Sequence, residues 1–169
     1  MTLFYAQPYN LSAEGFYFKT AEQFAEKSNG LTDPFGQPVE EFEIQLMDGG
    51  QLTCELFEAW RPGQGDIGRF ITACDDWSEE NFLMAIIALR DLGYRPDQVS
   101  DDPEDLPIKL YRIGGLKELA EEFVEDGLFG DIQDRLAPYL DYDAIARDLS
   151  YDGFTETIVA GERLIYWAE

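Results

Sequence analysis

Carboxylates outnumber cations almost three to one in this chain, 35 Asp and Glu against 12 Lys and Arg, and that imbalance restricts its fold more than any other feature. Charges of one sign cannot be buried together without partners, so the acid must lie outside a core built from the remaining residues. Those residues suffice, since 45% of the chain is hydrophobic and 14% aromatic, too much for disorder despite a net charge of −23. A surface of this kind repels nucleic acid and anionic membrane and attracts basic clefts from a distance. Histidine is absent. Its absence removes the usual general base near neutral pH, the usual imidazole metal ligand and the Ser–His and Cys–His pairs. The composition therefore points to a binder of something positive rather than to an enzyme, and implies no cofactor.

With 169 residues the chain has room for one ordinary domain or for two or three very small ones. No apolar run approaches the roughly 18–20 residues that span a bilayer. The start, Met1-Thr2-Leu3-Phe4-Tyr5, has neither the basic nor the apolar region of a signal peptide, so a cytoplasmic protein without a membrane partner is expected. Cys54 and Cys74 have no CxxC spacing and read as reduced, mostly buried thiols.

The acid is unevenly spread. Residues 1–60 carry 10 acids and 2 bases, 61–96 carry 6 and 4, 97–152 carry 16 and 5, and 153–169 carry 3 and 1. The nearly neutral middle coincides with a change of periodicity, which suggests three small units, 1–50, 51–103 and 104–169, and an α+β class. In the first, Leu3–Ala6, Gly15–Lys19 and Phe42–Leu46 read as strands, and Thr20 can cap a helix over Ala21–Ser28. Asp33-Pro34-Phe35-Gly36 and Asp48-Gly49-Gly50 are turn chemistry. The second reads as helical. Ser78 can cap a helix running to Leu92, with Phe82, Ile86 and Leu89 at helical spacing and Gly93 closing it. Arg95–Asp105, with two prolines and five acids, reads as a linker. In the third, Ile108–Ile113 is strand-like and Leu116–Asp126 is an amphipathic helix. Asp141 can cap a helix over Tyr142–Leu149, and Phe154–Val159 with Arg163–Trp167 forms a closing hairpin.

The carboxylates invite several chemical readings. Asp141-Tyr142-Asp143 begins a calcium loop, but Ile145 and Ala146 stand where a ligand and the glycine belong. Paired acids for glycoside cleavage are available in any acidic protein, and no pair stands out. No glycine-rich phosphate loop occurs. Carboxylates can also stand in for nucleic-acid phosphates. Duplex DNA carries one charge per about 1.7 Å of axis, so 23 charges match roughly 39 Å, or about 12 base pairs. A globule of this length has a radius of gyration of only about 15–16 Å, so a match along the whole chain requires an elongated molecule.

The stretch Gly115–Phe154, GLKELAEEFVEDGLFGDIQDRLAPYLDYDAIARDLSYDGF, resembles the C-terminal part of the ArdA family of antirestriction proteins. The run Tyr139-Leu140-Asp141-Tyr142-Asp143-Ala144-Ile145-Ala146-Arg147-Asp148-Leu149 is similar to the family's characteristic motif. Glu125–Ile132 is similar as well, with Gln133 where the family would have proline. Phe4-Tyr5-Ala6, Gly15-Phe16-Tyr17-Phe18 and Glu41-Phe42-Glu43-Ile44 are similar more loosely. The resemblance implies a DNA mimic that inhibits type I restriction–modification enzymes, encoded on a mobile genetic element. It also implies an elongated, three-domain homodimer that occupies the DNA groove of the methyltransferase core. For such a mimic, the acidic runs of this chain supply the expected surface: Asp101, Asp102, Glu104, Asp105, Glu118, Glu121, Glu122, Glu125, Asp126, Asp131 and Asp134. Its antirestriction and dimerisation motif would use Tyr139, Asp141, Tyr142, Arg147 and Asp148.

Read from the residues alone, the motif has structural duties. Asp141 is an N-cap, Ile145 and Leu149 are core, and Arg147 can pair with Asp143 four positions before it. Two alternatives stay open: an acidic module for another basic protein, and a hydrolase with two converging carboxylates in an aromatic pocket.

Overall fold

Alternation of apolar and polar residues at the amino end builds the first sheet. The computed structural model describes residues 2–99 and 101–169. Strand β1 (Leu3–Pro8) turns Phe4, Ala6 and Pro8 inward and leaves Tyr5 and Gln7 half-buried on its other face. It is the centre of an antiparallel sheet, between β2 (Phe16–Phe18) and β3 (Phe42–Asp48), with Phe4 opposite Phe18 and Leu46. Helix α1 (Ala21–Ser28) keeps the bounds its cap indicates. The Thr20 hydroxyl accepts the Gln23 N–H at 3.2 Å, and the Gln23 side chain accepts the Lys19 N–H at 2.8 Å.

Three helices follow: α2 (Gln51–Trp60), α3 (Ile67–Asp76) and α4 (Glu79–Ile86). The ring of Phe4 lies 5.3 Å from Phe18 and 6.0 Å from Phe70, and Phe70 meets Phe57 at 5.4 Å and Trp60 at 5.7 Å, edge-on. Rings from β1, β2, α2 and α3 thus share one core. The division expected at residue 50 is replaced by one compact unit ending at Glu104. Sheet and helices each present one apolar face, and each face finds its cover in the other.

Helix α4 departs from the amphipathic pattern expected of it. Asn81 through Leu89 are all buried, and after Ile86 the chain widens into a π-helical turn, Ile87–Asp91. The Leu92 N–H there reaches the carbonyl of Ile87, five residues back, at 3.1 Å. Asn81 is satisfied by donating its amide to Asp102 at 3.0 Å.

The stretch Arg95–Asp105 is also not a free linker. The Arg69 guanidinium, 5.3 Å from the centre of the Trp60 ring, donates to the carbonyls of Pro96 (2.7 Å) and Val99 and pairs with Asp101 at 3.4 Å. The Trp77 indole donates to the Asp101 carbonyl at 2.8 Å, and Val99 and Pro103 are buried. Two proline-started helical turns, Pro96–Gln98 and Pro103–Asp105, are pinned in this way.

A second compact unit begins at Asp105. Its sheet has the order β4 (Ile108–Tyr111), β6 (Glu162–Ala168), β5 (Thr155–Val159), all antiparallel. Ala160 and Gly161, at φ of 52° and 80°, make the two-residue turn of the expected hairpin. Helices α5 (Leu116–Glu125) and α6 (Tyr142–Tyr151) contribute Leu119, Ala120, Phe123 and Leu149 to a core with Ile165. Tyr111, Tyr142, Ile145, Ala146 and Phe154 pack around it. The class is α+β, with six α-helices and two small antiparallel sheets among the described residues.

Candidate acidic surface

All but five of the 35 carboxylates are exposed, the exceptions being Asp33, Glu55, Asp66, Glu121 and Glu162. The first unit holds 20 acids and 6 bases, the second 15 and 6. Many of the bases are engaged within the fold. Arg90 pairs with Glu55 and Asp91, Arg95 with Asp97, Arg112 with Glu162, and Lys117 with Asp143. Arg61, Lys109, Arg135, Arg147 and Arg163 remain as exposed cations on a surface where carboxylates far outnumber them.

The candidate acids divide between the units. Asp101, Asp102 and Glu104 belong to the first. Asp101 pairs with Arg69, and Asp102 accepts from Asn81 and from the Glu104 N–H at 3.2 Å. Asp105 opens the second unit and is exposed.

On α5 the acids form a stripe. At about 100° per residue, Glu118, Glu121, Glu122 and Glu125 fall within an arc of about 100°, opposite the side that buries Leu119, Ala120 and Phe123. The stripe extends through Asp126, at the end of the helix, into a loop that exposes Asp131 and Asp134. Glu118 is the one of these that bonds locally, accepting the Gly114 N–H at 3.1 Å. Glu156 reaches over from β5 to accept the Leu116 N–H at 2.8 Å. These two carboxylates satisfy donors at the start of a helix whose Gly115 cap has no side chain. Across from the stripe, burial first and the Glu122 charge second push the Tyr111 phenol above its ordinary pKa.

The motif residues end up in different roles. Asp141 caps α6, accepting the Ala144 N–H at 3.0 Å, and Tyr142 packs against the core. Tyr139 is 86% exposed, and Arg147 and Asp148 are exposed. The expected pair between Arg147 and Asp143 does not form. Asp143 instead accepts from Lys117 on α5 at 3.0 Å, and the Arg147 guanidinium makes no hydrogen bond or ion pair among the described residues. Lys117 and Glu156 carry these links between elements, and spacing along one helix does not reveal partners on another. The second unit also exposes Leu128, Phe129 and Leu136.

Other chemistry has little to build on. Among the described residues no three carboxylates or thiols converge as a metal site would require, and no helix is long and apolar enough to cross a membrane. Cys54 and Cys74 are free thiols, half-buried rather than deeply enclosed. Burial, with the Asp75 charge second, pushes the Cys74 thiol up to about 12. A groove of about 540 Å³ in the first unit brings Tyr9, Phe42 and Phe57 together with Glu43, Glu58 and Arg61. Both of its carboxylates stand in solvent, whereas a catalytic carboxylic acid depends on apolar surroundings to stay protonated. No protein-family model matches this chain, and no curated protein matches it.

Proposed function

We propose that this protein is a non-enzymatic DNA mimic that acts in the cytoplasm, binding the DNA groove of a type I restriction–modification methyltransferase core and blocking restriction. The observation that carries the reading is the α5 stripe and its extension to Asp134. The carboxylates of Glu121, Glu122, Glu125, Asp126, Asp131 and Asp134 accept no hydrogen bond and form no ion pair among the described residues, and all but the half-buried Glu121 are exposed. The choice of target rests on the resemblance of Gly115–Phe154 to the antirestriction family. Four acids over the roughly 10.5 Å from Glu118 to Glu125 are sparser than duplex phosphates, so carboxylates of other elements share the contact.

The mechanism is competitive occupation. Carboxylates pair with the lysines and arginines that line a DNA groove in place of phosphates, and the summed field of the chain speeds encounter. Binding should therefore weaken steeply with salt. A homodimer is part of the proposal, with Arg147 organising carboxylates across the subunit contact rather than within one chain.

The test is capture of a purified type I methyltransferase core by the immobilised protein, with duplex DNA as competitor. Saturable, salt-sensitive binding displaced by DNA supports the proposal. Binding that DNA does not displace would mean a different surface is recognised. No binding at low salt, together with capture of an unrelated basic protein, would favour a general acidic module.

A further inference from the structure

The geometry points to Asn29 as a site of spontaneous covalent modification, at which the side-chain amide is lost to give aspartate and isoaspartate. The chain has three asparagines, and their settings differ sharply. Asn10 is locked through both ends of its amide. It donates to Asp33 at 3.0 Å, accepts the Ser12 N–H at 2.9 Å, and is followed by the bulky Leu11. Asn81 is buried in the first turn of α4 and donates to Asp102 at 3.0 Å. The next N–H, of Phe82, is held by the Ser78 carbonyl at 3.1 Å. Asn29 stands just past the last residue of α1, exposed, with a side chain that bonds to nothing among the described residues.

The residue after it completes the setting. Gly30 is exposed, its N–H donates no hydrogen bond among the described residues, and the space where a Cβ would stand is empty. Its φ of +76° is one that glycine adopts without strain. Asn29 sits at ψ 117°, so closing the ring requires rotation about that bond, and no side chain at Gly30 opposes the motion.

The reaction needs only water. The Gly30 amide nitrogen, giving up its proton to a base, bonds to Cγ of Asn29. The bond from Cγ to the side-chain nitrogen breaks, and ammonia leaves carrying that proton. The resulting five-membered imide then adds one water across either of its two carbonyl–nitrogen bonds, giving aspartate or isoaspartate. Each product carries one new carboxylate, ionised near neutral pH. The isoaspartate product also lengthens the backbone by one methylene at the residue whose N–H caps the Ala25 carbonyl at 3.1 Å. A negative charge at this end of α1 opposes the helix dipole.

The experiment is incubation of the full chain in mildly alkaline buffer, followed by peptide mapping and enzymatic methylation of isoaspartyl carboxyls. The expected result is a gain of about 1 Da confined to the peptide containing Asn29. Methylatable isoaspartate should appear in that peptide while Asn10 and Asn81 keep their amides. In Asn29→Gln the gain should vanish. An Asn29 that stays amidated under these conditions, or that converts no faster than Asn10 and Asn81, would overturn the inference. So would a mass gain that persists in Asn29→Gln.

Discussion

In the unit that ends at Glu104, two of the candidate carboxylates are exposed but tied to partners in the fold, Asp101 by Arg69 and Asp102 by Asn81. In the unit that begins at Asp105, Glu121, Glu122 and Glu125 stand on the side of α5 away from the core, Asp126, Asp131 and Asp134 follow the helix, and none of these carboxylates bonds to another group among the described residues. The first unit also contains two carboxylates, Asp33 and Asp66, that each hold a turn through more than one hydrogen bond. Asp33 accepts the N–H groups of Phe35 and Gln37, each at 2.9 Å, and Asp66 accepts the Trp60 indole at 2.9 Å and the Gly63 N–H at 2.7 Å. An acidic composition is therefore not one property. Some carboxylates are internal hydrogen-bond acceptors, and others are surface charge that accepts no hydrogen bond within the chain among the described residues.

Substitutions should separate the two kinds. The largest effect is expected from neutralising Glu121, Glu122, Glu125 and Asp126 together, to Gln and Asn. Association with a basic groove should slow by about ten-fold or more, while stability stays within about 0.5 kcal/mol of the original. Stopped-flow binding and denaturant titration of the same variant check both halves. Any one of the four single changes that abolished binding would replace a distributed contact with a hot spot.

Asp66→Ala should show the opposite profile. Trp60 is almost fully buried, and losing the acceptor of its indole N–H should cost about 1–3 kcal/mol in a denaturant titration. Target binding by the folded fraction should be unaffected. A variant as stable as the parent would mean that Asp66 is a surface charge after all.

Asp33 adds a pH signature. Its carboxyl is held below the ordinary 3.8 chiefly by the Gln37 N–H, with the Asn10 amide and the Phe35 N–H helping against the opposing effect of burial. A group with a depressed folded pKa stabilises above its unfolded value and loses that contribution as pH falls through the folded one. The stability gap between the parent and Asp33→Asn should thus be constant near neutrality and close below about pH 4. A gap that widened on acidification would reverse the assignment.

Much of this was legible in the residues. Thr20 with Gln23 marked the start of α1, Asp141 marked that of α6, and Ala160-Gly161 lay at the turn between two alternating runs. What the sequence did not reveal depends on neighbours distant in the chain. Helix α4 loses its polar face because packing encloses it on every side, and a pattern of apolar spacing cannot report what covers the remaining face. The stretch from Arg95 has the prolines and acids of a linker, yet Arg69, some 30 residues earlier, holds its carbonyls. The groups that satisfy the start of α5 and the partner of Asp143 likewise come partly from other elements.

That last case supplies the smallest expected effect. Lys117 and Arg147 are both exposed cations on neighbouring helices, and among the described residues only Lys117 pairs with a carboxylate. The hydrogen bond with Asp143, and then its charge, raises the Lys117 pKa above the ordinary 10.5. The stabilisation is present below that value and fades as pH rises through the folded one. Both side chains are well exposed, so Lys117→Ala should give a slight loss of stability that disappears in high salt. Arg147→Ala breaks no pair within the monomer, so any effect must appear in self-association. Sedimentation of the two variants beside the parent distinguishes them. Dissociation of an otherwise stable Arg147→Ala chain places the guanidinium at a subunit contact. An Arg147→Ala chain that associates like the parent but no longer binds the methyltransferase would move that cation to the target interface.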